Sequence, residues 1–419
     1  MKKFKGVVAT LRNLFKYDVQ GMLFAVIGLI LIGTINIYSA TVVGTIEDSG
    51  SVTGYMSKYF LSLLVAIAAG IAVYRFDYRK LSNRRLQLIL MGLTIFSLVL
   101  VLGMGTVVNG ARRWIMLGPV SVQPSEFAKL SAIIWTASLL DVRKWGRPRY
   151  KNLLYKPYDY IKERFDYMLP LLGFPFVFSA ITMGQPDMGT AVLIFFFSYL
   201  LIFLAGFDGR FFGFTFLVAF LGGFVLTFFS PYRWERVQAW RDPWPYAQDL
   251  GYQTVQGLLA VGSGGLTGEG FMRGTSKYFY LPEAHTDFAF AVLAQEWGFI
   301  GGLVILFLVV MFTIYGFLIA MSARDDLGKW LATGITMLIS GQALFNIAMV
   351  CGILPVTGVP LPFISYGGSA LLMNSMAIGI LANIGERNAQ GVKRIGVKGE
   401  LQSLQQETQS RFVPNRQRR

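Results

Sequence analysis

Charged residues and cysteine are scarce in this chain of 419 residues. Only 15% of its residues are charged, 54% are hydrophobic, and its mean hydropathy is +0.52. This composition excludes an ordinary soluble domain and predicts an all-α protein that crosses a membrane many times. The single cysteine, Cys351, excludes a disulfide framework and a cysteine-based metal site.

Ten apolar stretches predict ten transmembrane helices. They cover residues 22–41, 59–76, 86–104, 126–140, 167–184, 188–206, 211–230, 288–321, 330–351 and 366–384. The fourth and fifth are short for a hydrocarbon layer of about 30 Å, so their ends are expected to be misplaced. The eighth is too long for one simple span. Its pairs Trp297-Gly298 and Gly301-Gly302 predict a break after a partly re-entrant first section.

The basic residues predict the orientation of these spans. The chain has a net charge of +15, and 29 of its 38 lysines and arginines lie in segments assigned to the inside, 1–20, 75–86, 141–166, 207–210, 322–329 and 385–419. This positive-inside asymmetry predicts that both termini lie in the cytoplasm. The basic excess then favours anionic lipid, and no nucleic-acid motif accompanies it. The first span has no cleavage site after it and is expected to be an anchor.

Three regions follow from this topology. Residues 1–20 form a basic cytoplasmic N-terminus, and residues 21–385 form the membrane domain with a large extracytoplasmic loop at 231–286. Residues 386–419 form a polar, basic tail that is predicted to be disordered.

Ionisable groups gather at the outer mouth of the eighth span. Glu283, the single histidine His285, and Asp287 lie just before a long apolar run. A carboxylate half out of water has its pKa raised toward the range useful for proton transfer, which makes Asp287 a candidate general base. The alternative is structural, because Thr286 and Asp287 are also good N-cap residues for the following helix.

The large outer loop is rich in aromatic residues and arginine. Arg233, Arg236 and Arg241 could bind diphosphate oxygens through their planar forks. Alternatively they are headgroup-facing arginines in an aromatic belt, which need no ligand. The glycine-rich stretch 262–270 lacks the lysine of a nucleotide-binding loop, which excludes that function.

Other polar motifs fall on the same predicted side. Arg112, Arg113 and Trp114 lie between spans three and four, and Gln185-Pro186-Asp187 separates spans five and six. Glu126 and Lys129 have the i,i+3 spacing of a helical ion pair, so a structural pair is at least as plausible as a substrate contact. Prolines and Ser365-Tyr366-Gly367-Gly368-Ser369 interrupt the start of the last span. Several broken helix ends on one side predict a cavity open to the outside and to lipid.

Six motifs of the chain, in the order in which they occur, resemble those of the SEDS family (shape, elongation, division and sporulation proteins), which includes FtsW, RodA and SpoVE. They are GARRWI, QPSEFAKL, QPDMGT, GYQTVQGLLAVGSGGLTGEG, YLPEAHTDFAFAVLAQEWG and LPVTGVPLPFISYGGSALL, and the resemblance as a whole covers roughly residues 20–385. The motifs are slightly more similar to the division branch than to the elongation branch. One departure is Ala289, where many relatives carry isoleucine.

The resemblance implies a ten-span peptidoglycan glycosyltransferase that polymerises lipid II, a lipid-linked precursor, outside the plasma membrane. It places the family's essential aspartate at Asp287. The other motif positions that it implies are Arg112, Arg113, Trp114, Glu126, Lys129, Gln185, Asp187, Glu283, His285, Ser365 and Gly367. It also implies partners: a class B penicillin-binding protein, which is a transpeptidase, and the other proteins of the division or elongation machinery.

The residues fit such a reaction without the resemblance. Joining two lipid-linked disaccharides needs a base for the acceptor hydroxyl, for which Asp287 is the candidate, and stabilisation of a departing diphosphate by arginines. No metal-binding motif is present, so no intrinsic cofactor is expected, although the diphosphate could recruit Mg²⁺ through its own oxygens. Two other classes stay open: a flippase for the same lipid precursor, which needs a polar path to the cytoplasmic side, and a scaffold, which would leave Asp287 and His285 without a task.

Overall fold

Long helices make up most of the chain that the computed structural model describes, namely residues 17–49, 54–108, 111–117, 120–144, 146, 156–229, 231–278 and 281–411. In chain order they are α1 (Asp18–Ser49), α2 (Gly54–Arg75), α3 (Arg84–Met104), α4 (Pro124–Val142), α5 (Pro157–Gly184), α6 (Met188–Leu204), α7 (Gly209–Phe228), α8 (Pro231–Arg241), α9 (Tyr252–Ser263), α10 (Ala289–Met321), α11 (Asp326–Val350) and α12 (Gly368–Arg411). Short 3₁₀ helices lie at Tyr78–Ser82 and Trp244–Tyr246. The predicted helical membrane fold is confirmed.

Seven helices within these described ranges are long and apolar enough to cross a membrane: α1, α2, α3, α5, α10, α11 and α12. The predicted sixth span corresponds to α6, an apolar helix of 17 residues, and the predicted seventh span corresponds to α7. The predicted fourth span corresponds to α4, which has 19 residues and includes the charged residues Glu126 and Lys129. The total of ten crossings therefore stays a prediction.

The start of α5 differs from the prediction. The helix begins at Pro157, a residue suited to a first turn that needs no N–H donor, and not at residue 167. The reason is that Arg164 is buried instead of solvated. Its Nε donates to Asp208 Oδ2 at 2.8 Å, and its guanidinium stacks on the Tyr160 ring at 3.4 Å. A paired arginine can therefore belong to a packed helix that hydropathy alone would have ended.

The predicted break in the eighth span is confirmed at Gly298. This residue has φ 67° and ψ −165°, inside the otherwise helical α10. A Cβ there would lie 2.3 Å from the backbone nitrogen of Gly268, so both the conformation and the close approach require glycine. The section before the break is tied to the large loop, because Lys277 Nζ donates to Glu296 Oε1 at 2.8 Å in a fully buried pair.

A small antiparallel sheet, which was not predicted, connects α3 to α4. Its strands are β1 (Thr106–Val108), β2 (Ala111–Leu117) and β3 (Val120–Val122), in the order β1-β2-β3. Successive side chains on a strand point to opposite faces. Arg113 therefore lies on the other face of β2 from Arg112 and Trp114.

The last helix extends into the region that was predicted to be a disordered tail. The last helix continues past Glu386 to Arg411, and residues 412–419 lie outside the described residues, as do residues 1–16 of the predicted N-terminal region. The first turn beyond residue 385 is packed: Arg387 pairs with Asp77 at 3.2 Å, Asn388 is buried, and Tyr74 donates a hydrogen bond to Glu386. These contacts hold a polar sequence in the helix.

Segments predicted to share a side of the membrane do meet in space. At one end of the bundle, Tyr78 donates to Asp325 at 2.8 Å and Lys144 pairs with Asp326 at 2.5 Å. Both contacts join segments that were assigned to the inside. The motifs assigned to the outside meet at the other end, described next. Which end faces the cytoplasm stays a prediction.

Candidate functional site

Asp287 lies directly before α10 but does not cap it. The N-cap residue is Phe288, and the cap has no side-chain hydrogen bond. The carboxylate instead faces the α11–α12 loop, where Asp287 Oδ2 is 3.2 Å from the position that a Cβ on Gly358 would occupy. Gly358 has φ 72°, so this close approach also requires glycine. The capping explanation of Asp287 is therefore wrong.

The surroundings of Asp287 raise its pKa to about 7. Burial is the largest cause, and the negative charges of Glu283 and Asp187 add to it. Arg113 acts in the opposite direction, and Glu126 raises the pKa further. A carboxyl group with this pKa is present in both protonation states near neutral pH, as a general base requires.

Arg113 lies beside Asp287 without neutralising it fully. Its Nη1 is 3.8 Å from the same Cβ position at Gly358 and 4.0 Å from Asp187 Oδ1, and its Nη2 donates to Pro186 O. Its Nε is buried without a hydrogen-bond partner among the described residues. The guanidinium thus combines a positive charge with an unused donor next to the carboxylate.

Asp187 fixes the position of this arginine. It is buried, and its Oδ2 accepts hydrogen bonds from Gln123 Nε2 at 3.2 Å and Ser125 Oγ at 3.1 Å. Its Oδ1 accepts from the backbone N–H of Thr190 at 3.3 Å, which caps α6. Two separate sequence motifs, at 123–126 and 185–187, are therefore joined by hydrogen bonds, and through Asp187 they pair with Arg113.

His285 lies in an aromatic setting next to Asp287. Its ring packs edge-on against Tyr55 at 5.8 Å and Tyr366 at 5.7 Å between centroids. Burial lowers the pKa of His285, and the nearby Glu283 acts in the opposite direction, so the imidazole is mainly neutral at pH 7. Glu283 accepts a hydrogen bond from the Thr286 hydroxyl, which tightens the turn before Asp287.

Glu126 and Lys129 form the predicted i,i+3 ion pair. Their Oε1 and Nζ atoms are 2.8 Å apart, and both side chains are fully buried on α4. Lys129 also donates to Gln342 Oε1 at 2.7 Å, and Gln342 Nε2 donates to Pro360 O at 2.9 Å. The pair therefore supports the loop against which Asp287 lies.

The other predicted site residues take up different positions. Arg112 is exposed and reaches Leu102 O at 3.5 Å, and Trp114 is partly buried on the same face of β2. Ser365 Oγ accepts from the Leu361 N–H at 2.8 Å within its own loop. On α8, Arg236 and Arg241 are exposed, whereas the side chain of Arg233 lies outside the described part of the structure. The helix lies at the same end of the bundle, since Trp240 Nε1 donates to Gly352 O at 3.2 Å.

Two buried asparagines near Asp287 were not among the predicted site residues. Asn346 Nδ2 donates to the backbone oxygen of Asp287 at 2.7 Å, and Asn36 Nδ2 donates to that of Ala289 at 2.9 Å. Their only signal in the sequence is an amide inside an apolar span: Asn36 stands alone in the first predicted span, and Asn346 follows Gln342 by four residues in the ninth.

Comparisons with known proteins give the chain clear relatives. Residues 20–390 match the family described as "Cell cycle protein", FtsW/RodA/SpoVE. The chain is 36% identical over 378 residues to a probable peptidoglycan glycosyltransferase FtsW of Geobacter sp. strain M18, covering 90% of this chain and 99% of that protein. It is 38% identical over 367 residues to stage V sporulation protein E of Bacillus subtilis strain 168, covering 87% and 96%.

Solved structures agree with these relatives. One, from a study of polymerization and crosslinking by a peptidoglycan synthase complex, superposes with a TM-score of 0.69 at 27% identity and covers 90% of this chain and 99% of that chain. Another is the rod shape determining protein RodA of Thermus thermophilus, with a TM-score of 0.60 at 26% identity and the same coverage of the two chains.

Proposed function

The chain belongs to the FtsW/RodA/SpoVE family and is a peptidoglycan glycosyltransferase, and we propose that it polymerises lipid II at the Asp287 pocket. The observation that carries this proposal is the juxtaposition at Gly358. There the carboxylate of Asp287 and the guanidinium of Arg113 approach the same point from two different elements. Transfer from a diphosphate needs a base that accepts the proton of the acceptor hydroxyl and a cation that stabilises the negative charge of the leaving group. Asp287 and Arg113 supply these two groups at one point.

Asp287 acts as the general base in this reaction. Its carboxylate takes the proton of the acceptor sugar hydroxyl as that oxygen attacks the anomeric carbon of the donor. The bond from that carbon to the diphosphate breaks, and undecaprenyl diphosphate leaves. The raised pKa of about 7 suits the step, because a stronger carboxylic acid would be too weak a base for a sugar hydroxyl.

Arg113 stabilises the departing diphosphate. The buried Nε without a described partner supplies a donor, and Asp187 holds the guanidinium in place. The described residues contain no group of three or more His, Cys, Asp or Glu side chains arranged to hold a metal ion. Any Mg²⁺ in the reaction is therefore proposed to come with the diphosphate and to bind through its oxygens.

We also propose on which side of the membrane the reaction takes place and with which partner the chain acts. The chain is a multi-pass membrane protein, and we place the Asp287 end outside the plasma membrane and both termini in the cytoplasm, since 29 of the 38 lysines and arginines fall in segments that the sequence assigns to the opposite side. One similar structure comes from a complex that couples polymerization with crosslinking. A class B penicillin-binding protein is thus the proposed partner, within the division or elongation machinery.

A polymerisation assay in detergent separates this function from lipid flipping. A detergent micelle has no two leaflets between which a lipid could be flipped. Purified protein with lipid II and no partner should therefore form long glycan strands only if the chain itself is the transferase. Strands visible on a gel are the expected result. Their absence, together with protein-dependent movement of labelled lipid II across vesicle bilayers, would favour the flippase instead.

A further inference from the structure

Three backbone carbonyls at alternate positions around Asp287 are held by three different parts of the fold. The acceptors are the oxygens of His285, Asp287 and Ala289, and the donors are Tyr366 N at 2.8 Å, Asn346 Nδ2 at 2.7 Å and Asn36 Nδ2 at 2.9 Å, respectively. Tyr366 precedes α12, Asn346 lies on α11 and Asn36 lies on α1. The five consecutive residues 285–289 are thus hydrogen-bonded to three different elements of the fold.

Asn346 connects the two segments that form the pocket. Besides Asp287 O, its Nδ2 donates to Val359 O at 2.7 Å, next to Gly358. Its side chain is fully buried on α11. One amide group therefore sets the spacing between the backbone that carries the carboxylate and the loop that the carboxylate faces.

Asn36 anchors the other side of Asp287. It is 2% exposed on α1, a helix whose other buried residues are mainly apolar, and it contacts the first residue of α10. A buried amide without a partner is costly in such surroundings. The structure in which Asn36 Nδ2 keeps its hydrogen bond to Ala289 O is therefore strongly favoured. This bond fixes the start of α10, two residues after Asp287.

We propose that Asn346 and Asn36 are positioning residues that hold the backbone of Asp287 where its carboxylate can reach the acceptor hydroxyl. The inference rests on the proposed role of Asp287 as the base. A displacement of about 1 Å can reduce the rate of an enzymatic step about 100-fold, so two fixed carbonyls next to the base matter for rate as well as for folding.

The test compares three alanine variants of the full-length protein. Asn346→Ala and Asn36→Ala each remove one donor near Asp287. Asn383→Ala is the matched control, because buried Asn383 donates to Tyr74 O at 2.7 Å at the opposite end of the bundle. The initial rate of glycan formation is measured per folded molecule, over a range of lipid II concentrations. We expect kcat to fall about 10- to 100-fold in the first two, with a smaller change in KM, and the control to stay near wild type.

The pH profile of the rate distinguishes a loss of positioning at Asp287 from a general loss of stability. The charged groups that face Asp287 are Glu283, Asp187, Arg113 and Glu126. If the Asp287 carboxyl group leaves these buried surroundings, water solvates it and its pKa falls. The acid limb of the Asn346→Ala profile should therefore move to lower pH. The Asn383→Ala profile should stay in place even if its melting temperature falls.

Several outcomes would overturn the inference. Rates and pH profiles in both Asn346→Ala and Asn36→Ala that match Asn383→Ala would show that the two amides serve stability alone. If Asn346→Ala does not fold, Asn36→Ala decides in the same way, and Asn346→Gln, which keeps an amide donor, should retain some of the rate. An active Asp287→Asn measured alongside would instead defeat the proposed base, whereas an inactive Asp287→Asn with fully active asparagine variants would defeat only the positioning role.

Discussion

Asp208 and Asp287 each lie close to an arginine, and their carboxylates behave in opposite ways. Asp208, between α6 and α7, receives hydrogen bonds from Arg164 and from the backbone N–H of Arg210. Burial alone would raise its pKa, but these contacts outweigh burial and lower it. Asp208 is therefore ionised at neutral pH and, through Arg164, connects α5 to the segment before α7.

Asp287 has an arginine nearby but does not receive its hydrogen bonds. Arg113 donates to Pro186 and pairs with Asp187, and no described residue donates a hydrogen bond to the Asp287 carboxylate. Burial and the neighbouring negative charge of Glu283 then raise the pKa to about 7. The difference shows that the direct hydrogen bond, more than the proximity of a cation, decides whether a carboxylate is structural or able to take up protons.

The largest effect on stability is expected at the structural pair. Arg164→Leu leaves Asp208 without its main partner and should reduce the free energy of unfolding by about 3–5 kcal/mol. Thermal unfolding of the purified protein in detergent measures this. Arg210→Leu, which changes an exposed arginine in the same region, is the control and should cost no more than about 0.5 kcal/mol. Equal melting temperatures for the two variants would contradict the assignment.

A change at Arg113 should affect activity more than stability. Arg113→Lys keeps the positive charge but loses the planar fork and the Nε donor, so the rate of glycan formation should fall at least about tenfold. Arg210→Lys makes the same chemical change at the opposite end of the bundle and should leave the rate unchanged. If the two variants are equally active, Arg113 does not bind the diphosphate.

The smallest expected effect concerns the charge next to Asp287. The active form of the base is deprotonated, so the wild-type rate should rise with pH through about 7. Because the Glu283 charge raises the pKa of Asp287, Glu283→Gln should move the midpoint of this rise to lower pH. Asp166→Asn, at the far end of α5 from Asp187, should not move it. A midpoint that stays fixed in Glu283→Gln would remove Glu283 from the electrostatics of the site.

The sequence predicted local features better than contacts between distant segments. The Glu126–Lys129 pair and the break at Gly298 follow from helical spacing and from glycine, which act within a few residues. The separation of Arg112 from Arg113 depends on a strand that hydropathy does not reveal. The bond from Asn36 to Ala289 joins residues 253 positions apart, and a single sequence carries no signal for such a partner.

The central claim is that Asp287 takes up the proton, and the substitution Asp287→Asn tests it most directly. Asparagine has almost the same shape but cannot act as the base. In purified protein supplied with lipid II, the initial rate of glycan formation should fall by about 10²- to 10⁴-fold while the thermal unfolding profile stays close to wild type. Asp249→Asn, an exposed carboxylate on the large loop, is the control and should remain active. A folded Asp287→Asn that makes glycan strands at nearly the wild-type rate would contradict the account.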